Sequence, residues 1–311
     1  MRVCLMIEGQ EGVTWELWRG LATACERHGL EGMFRSDHYA SFHRGDEFGA
    51  LDAWATLAGL AAVTDRIRLG TLVSPVTFRH PSELAKVVVT VDHISGGRVE
   101  LGLGAGWNER EHRAYGFEFP GTPERLERFA EQLELVRLEW TESGLDFSGR
   151  WYSTESLTAL PRPVQRPAPH LIVGGMARPG TVEPAVRLAD EYNTVYVTPD
   201  EAAERRAVID ESCRRQGRDP GTMAFSVMTG CVLGRDEAEV RERAERVRAR
   251  TNREGDVDDF LRASSDRWVI GTPDGARDHL ARLERAGVER IYLQHLDHED
   301  LESVELMGEL V

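Results

Sequence analysis

Four stretches of the chain place polar groups or glycines at the end of a short apolar run, where a ligand could meet them. Arg35-Ser36-Asp37-His38 follows Gly32-Met33-Phe34. A carboxyl and an imidazole there suit acid, base or hydrogen-bond work, and histidine changes charge near neutral pH. The same residues also suit an ordinary capping turn. In Thr77-Phe78-Arg79-His80-Pro81, Arg79 and His80 could hold an anion where Pro81 opens a helix, or simply cap it. Leu101-Gly102-Leu103-Gly104-Ala105-Gly106-Trp107-Asn108 ends in alternate glycines, which let a flat or phosphorylated ligand approach, and Trp107 would then be an aromatic wall; a tight turn with a core tryptophan is the alternative. Val173-Gly174-Gly175-Met176-Ala177-Arg178 offers a glycine pair opening a helix, a plausible phosphate cradle with Arg178 beside the charge.

Other spacings exclude chemistry. Glu109 and His112 have the Glu-x-x-His spacing of a di-iron helix, but no second such motif accompanies them, so no metal is expected. The chain has no GxSxG, HExxH or GxxxxGK[ST], which removes the usual support for hydrolase, zincin and nucleotide triphosphatase readings.

The elements that must position these residues alternate. Short aliphatic or β-branched runs fall at 3–7, 32–35, 67–72, 99–104, 170–174, 192–197, 225–233 and 290–294, as strands buried on both faces should read. Between them lie helical stripes such as Trp15, Trp18, Leu21, Ala22 and Cys25, or Leu84, Val87, Val88 and Val91 after Pro81. Eight strand–helix units predict an α/β (β/α)₈ TIM barrel, one domain over 1–311, with chemistry at the strand C-termini. The surplus length sits mainly in 144–169, rich in Pro, Arg and Ser, which reads as an inserted loop after the fourth unit. A doubly wound sheet is the runner-up, but no GxGxxG follows the first strand. His295, leaving the eighth strand, is either a substrate-pocket residue or a loop histidine.

With 311 residues, 41% hydrophobic and 29% charged, the composition is that of a globular protein. No apolar run approaches a bilayer span, and the N-terminal apolar stretch meets Glu8 too soon for a secretory signal. Four scattered cysteines without a CxxC point to reduced thiols, hence a cytoplasmic location. A formal charge of −15 argues against nucleic acid or anionic membrane as partners and leaves a small-molecule substrate.

The segments Phe34-Arg35-Ser36-Asp37-His38, 66–73, Thr77-Phe78-Arg79-His80-Pro81, 96–108, 161–167, Val173-Gly174-Gly175 and 270–274, in this order and spacing, resemble the luciferase-like monooxygenase superfamily. Within it they look like the coenzyme F420-dependent oxidoreductases. The resemblance implies a non-proline cis peptide at Leu72–Val73, bulging against the cofactor's central ring. It implies that Asp37 and His38 lie near the reactive edge as catalytic residues, His38 being the first candidate for handling the proton. Ala105, Gly106 and Trp107 match the cofactor wall, His112 is counted with the cofactor-binding residues, and Gly174, Gly175 and Met176 match the phosphate-binding turn. One departure is Trp107, which stands where the family's sugar-phosphate dehydrogenases carry a glutamate. Their substrate is therefore not carried over, and a tryptophan favours a flat or hydrophobic one.

Both F420 and FMN carry a phosphate on a ribityl chain, so the glycine turn does not separate them. F420 adds an oligoglutamate tail, for which Arg44, Arg79 and Arg178 could serve. The expected function is F420-dependent hydride transfer to or from a small organic substrate. The alternatives are an FMN-dependent monooxygenase and a flavin-binding protein without turnover. Relatives often pair, so a homodimer is possible.

Overall fold

The computed structural model describes residues 1–43, 45 and 47–311. Its eight barrel strands are β1 (Arg2–Ile7), β2 (Gly32–Arg35), β3 (Arg68–Thr71, resuming at Ser74–Pro75), β4 (Val99–Gly104), β5 (His170–Gly174), β6 (Glu191–Val195), β7 (Ala224–Leu233) and β8 (Arg290–Gln294). Every neighbouring pair is parallel, β8 returns to β1, and β6 pairs with β7, so the sheet closes. This is the expected (β/α)₈ barrel.

Alternation along each strand decides which side chains meet the helices and which fill the barrel. On β1, Val3, Leu5 and Ile7 pack outward with Trp18 and Leu21 of the helix Trp15–Arg27, while Cys4 and Met6 pack inward with Phe34, Leu72, Ile172, Met228 and Tyr292. At the N-terminal end of the barrel the fully buried Arg290 holds Glu100 at 2.6 Å and Glu191 at 3.2 Å. Glu100, His170 and Glu191 offer ligand-type atoms within 4.8 Å of one another. The guanidinium of Arg290 lies among them and, together with His170, lowers the pKa of both carboxyls against the pull of burial.

Two excursions interrupt the repeat. The stretch 144–169, expected as a loop, contains an antiparallel hairpin of Leu145–Ser148 with Ser153–Leu157. The chain then returns to the barrel held by buried Asp92, which accepts the Val164 and Gln165 amides and the Gln165 side chain. A second excursion lies between β7 and β8. It carries helices Glu237–Arg250 and Val257–Ser264 and a short strand, Val269–Gly271, that pairs with the C-terminal part of β7. No helix among the described residues is long and apolar enough to cross a membrane.

Candidate active site

A cavity of about 760 Å³ opens at the C-terminal ends of the strands, and all eight contribute to it. Glu8 follows β1 and His38 follows β2; Leu72 and Val73 interrupt β3, and Gly104 and Gly174 end β4 and β5. Asn193 and Val195 come from β6, Met228 from β7 and Gln294 from β8. Ala105, Gly106, Trp107, His112, Gly175 and Met176 complete the expected cofactor-binding residues in the wall.

His38 is fixed by a residue the sequence did not single out. Its Nδ1 lies 2.7 Å from Oε2 of Glu111, a buried carboxyl on the helix Glu109–Tyr115. Oε1 of Glu111 accepts the backbone N–H groups of Tyr39 and Ala40. Burial alone would raise the carboxyl's pKa, but the hydrogen bond and charge of His38, with the two amides, outweigh it and hold it below the ordinary value. With Nδ1 committed, Nε2 makes no hydrogen bond among the described residues and belongs to a ring that lines the cavity. The ring sits edge-on to Phe42 and Trp107, centroids 4.6 and 5.8 Å away.

The peptide Leu72–Val73 is cis, as the resemblance implied. Glycines give the Val73 side chain its room: a Cβ on Gly104 would fall 2.6 Å from Val73 Cγ2, and one on Gly174 would fall 3.0 Å from Cγ1. Gly175 is explained differently. Its N–H already goes to the Asn193 carbonyl, and a Cβ there would lie 2.4 Å from Tyr192 Oη. What remains for an anion is the Arg178 side chain and the Gly180 N–H at the start of the helix Pro179–Leu188, since the Thr181 and Val182 amides go to the Arg178 carbonyl. The first turn of this helix lacks a side-chain cap, and Arg178, Gly180 and Thr181 line the cavity there.

Three expected residues are placed elsewhere. Asp37 is buried away from the cavity, accepting Arg79 Nη1 and Ser74 Oγ, each at 2.5 Å. A carboxylate saturated by a guanidinium anchors the loop rather than acting on a substrate, which corrects its catalytic assignment. Arg79 is consumed by Asp37 and Asp52, so it is not free for a cofactor tail. Of the other two arginines considered for that tail, Arg178 lines the cavity and Arg44 lies outside the described residues. His295 does not line the cavity either. It is buried behind β8 with Nε2 on the Asp300 carbonyl, and burial pushes its pKa down to about 4, so it is a neutral packing histidine. His112 does line the cavity, but both nitrogens are used: Nδ1 donates to the Asn108 carbonyl and Nε2 accepts the Thr77 hydroxyl.

The sequence model of the luciferase-like monooxygenase family matches residues 5–290. An F420-dependent glucose-6-phosphate dehydrogenase of Kineococcus radiotolerans is 34% identical over 172 residues, 55% of this chain and 50% of that protein. The enzyme of the same name from Nakamurella multipartita is 35% identical over 176 residues, 56% and 50% of the two chains. The chain thus spans about half the length of these curated relatives. Among solved structures, monooxygenase RslO1 from Streptomyces bottropensis matches with a TM-score of 0.85 at 25% identity, over 100% of this chain and 98% of that one. An F420-dependent secondary alcohol dehydrogenase bound to an F420–acetone adduct shares the fold, with a TM-score of 0.82 at 18% identity over the same fractions.

Proposed function

The chain belongs to the luciferase-like monooxygenase family, and on that premise we propose that it is a coenzyme F420-dependent oxidoreductase moving a hydride between the deazaflavin and a small organic substrate. The observation that carries this reading is the His38–Glu111 pair, with His38 in the wall of a cavity that Leu72 and Val73 also line. The F420-dependent curated relatives support the choice of cofactor.

The residues present fit such a group. The uncapped helix turn at Arg178–Thr181 suits a phosphate, and Leu72, Val73, Ala105 and Gly106 offer a smooth apolar face to a flat ring. When bound, a deazaflavin supplies the two-electron hydride centre. The protein's part is protons and position. As a hydride leaves a substrate carbon, the adjoining hydroxyl must lose its proton, and Nε2 of His38 takes it; in the reverse direction the same atom returns it. Glu111 keeps the ring oriented and pairs with it once protonated. Val195 and Met228 help keep water from the reacting carbon. Because all eight strands build this one cavity, residues 1–311 are read as a single domain.

A second reading, an FMN-dependent monooxygenase, is favoured by the full-length likeness to monooxygenase RslO1. Anaerobic incubation with F420 and a panel of small alcohols, followed by loss of the oxidised cofactor's absorbance, tests the first reading. Turnover only with reduced FMN and consumed oxygen would replace it by the second.

A further inference from the structure

Glu8 is unusual among the groups that line the cavity. It is buried to within 8% exposure, yet no ion pair holds it among the described residues. Its oxygens instead accept neutral amides: Oε2 takes Gln10 Nε2 at 2.7 Å and Oε1 takes Gln294 Nε2. Those amides are themselves fixed, Gln10 by the Ser36 hydroxyl at 2.5 Å and Gln294 by the Tyr196 hydroxyl. The result is a hydrogen-bonded wall running from β6 through β8 and β1 to β2, with a carboxyl at its centre.

A carboxylate withdrawn from water is costly unless a charge pairs with it. The buried Arg35 guanidinium acts on Glu8 only through space, its own hydrogen bonds going to the Ser36 and Leu51 carbonyls, and among the described residues each Glu8 oxygen has taken a single donor. The rest of the surroundings suit a positive charge. Phe42, Trp107 and Tyr196 line the same cavity, with Phe42 and Trp107 rings 5.1 Å apart, and aromatic faces attract cations. Trp107 touches the rings of His38 and Phe42 yet stays 65% exposed, which leaves much of its aromatic surface open at the cavity. Among the described lining residues Arg178 is the sole lysine or arginine, and it belongs to the helix turn suited to phosphate. The chain's formal charge of −15 adds a field of the same sign.

We infer that Glu8, with Phe42, Trp107 and Tyr196, forms a subsite for a positively charged nitrogen, so that the substrate carries an ammonium, iminium or quaternised heteroaromatic group. The inference rests on reading this cavity as the substrate site. It separates the protein from enzymes that take sugar phosphates, whose anionic end this wall would repel. Gln10 and Gln294 act as positioning residues that keep both carboxylate oxygens directed at the cavity.

The test uses two probes of equal heavy-atom count, N-methylquinolinium and 4-methylquinoline, in mildly alkaline buffer where the second is neutral. Calorimetric titration of the purified full chain, with and without F420, should show the cation binding at least about tenfold tighter. In Glu8→Gln the ratio should fall to near unity, whereas Glu8→Asp, which keeps the charge and guards against a folding failure of the first variant, should retain a preference. Equal binding of the two probes by the wild-type chain, or a preference that survives Glu8→Gln, overturns the inference. Failure of F420 itself to bind would count against the cofactor assignment alone, because the probe ratio still decides whether the cation subsite exists.

Discussion

Oε2 of Glu111 lies 2.7 Å from Nδ1 of His38, while its other oxygen gathers the amides of Tyr39 and Ala40. One buried carboxyl therefore sets both the ring and the loop that carries it. Glu111→Gln should lower hydride transfer by about a hundredfold, with the loss in kcat rather than KM and a changed pH profile. Steady-state kinetics across pH checks this; an unaltered profile would mean the pair is structural. Glu111 has a folded-state pKa below its unfolded value. Its stabilising contribution is thus full at neutral pH and disappears as pH falls through the folded value.

Asp37 and Arg79 form a buried pair, so breaking it from one side should be severe. Arg79→Met leaves the Asp37 carboxylate without its counter-charge and should cost about 3–5 kcal/mol. Adding Asp37→Asn should recover much of that, as measured by urea denaturation. A double variant no more stable than Arg79→Met would show that the two residues act separately.

Val73 packs between Gly104 and Gly174. Gly104→Ala should displace it, destabilise the chain by about 1–3 kcal/mol and weaken cofactor binding. Val73→Ala in the same chain should restore part of both losses. Thermal melting and cofactor titration of the single and double variants provide the comparison.

His295 supplies a pH dependence of stability with a defined sign. Its folded pKa is near 4, below the unfolded value of 6.5, so the unfolded chain binds the extra proton first. Stability should then rise with pH between those values, and acidification below the folded value removes about 3 kcal/mol. His295→Gln should flatten this part of the Tm-against-pH curve. An unchanged slope would place the acid sensitivity elsewhere.

The barrel was legible because most strands are short aliphatic or β-branched runs and most helices between them periodic stripes. His38 was legible because it directly follows a buried strand. Its partner was not: Glu111 sits in Glu109-Arg110-Glu111-His112, a charged run that reads as a solvated helix face until the loop at 38–40 folds onto it. Asp37 was misassigned for the converse reason, since nothing local reveals that Arg79, 42 positions away, reaches it. Glu8 read as the polar end of a first strand, and only barrel closure against β8 brings Gln294 to it. The hairpin after residue 144 was hidden because its strands are polar and half-exposed, without the aliphatic signature of the barrel strands.

A cavity that holds a deazaflavin must discriminate F420 from FMN. Parallel fluorescence titration of the purified chain with F420 and with FMN tests it most directly. F420 should bind saturably and tightly and FMN much more weakly, and Gly104→Ala should lose F420 affinity. Preference for FMN, or F420 binding indifferent to Gly104→Ala, would contradict a deazaflavin site.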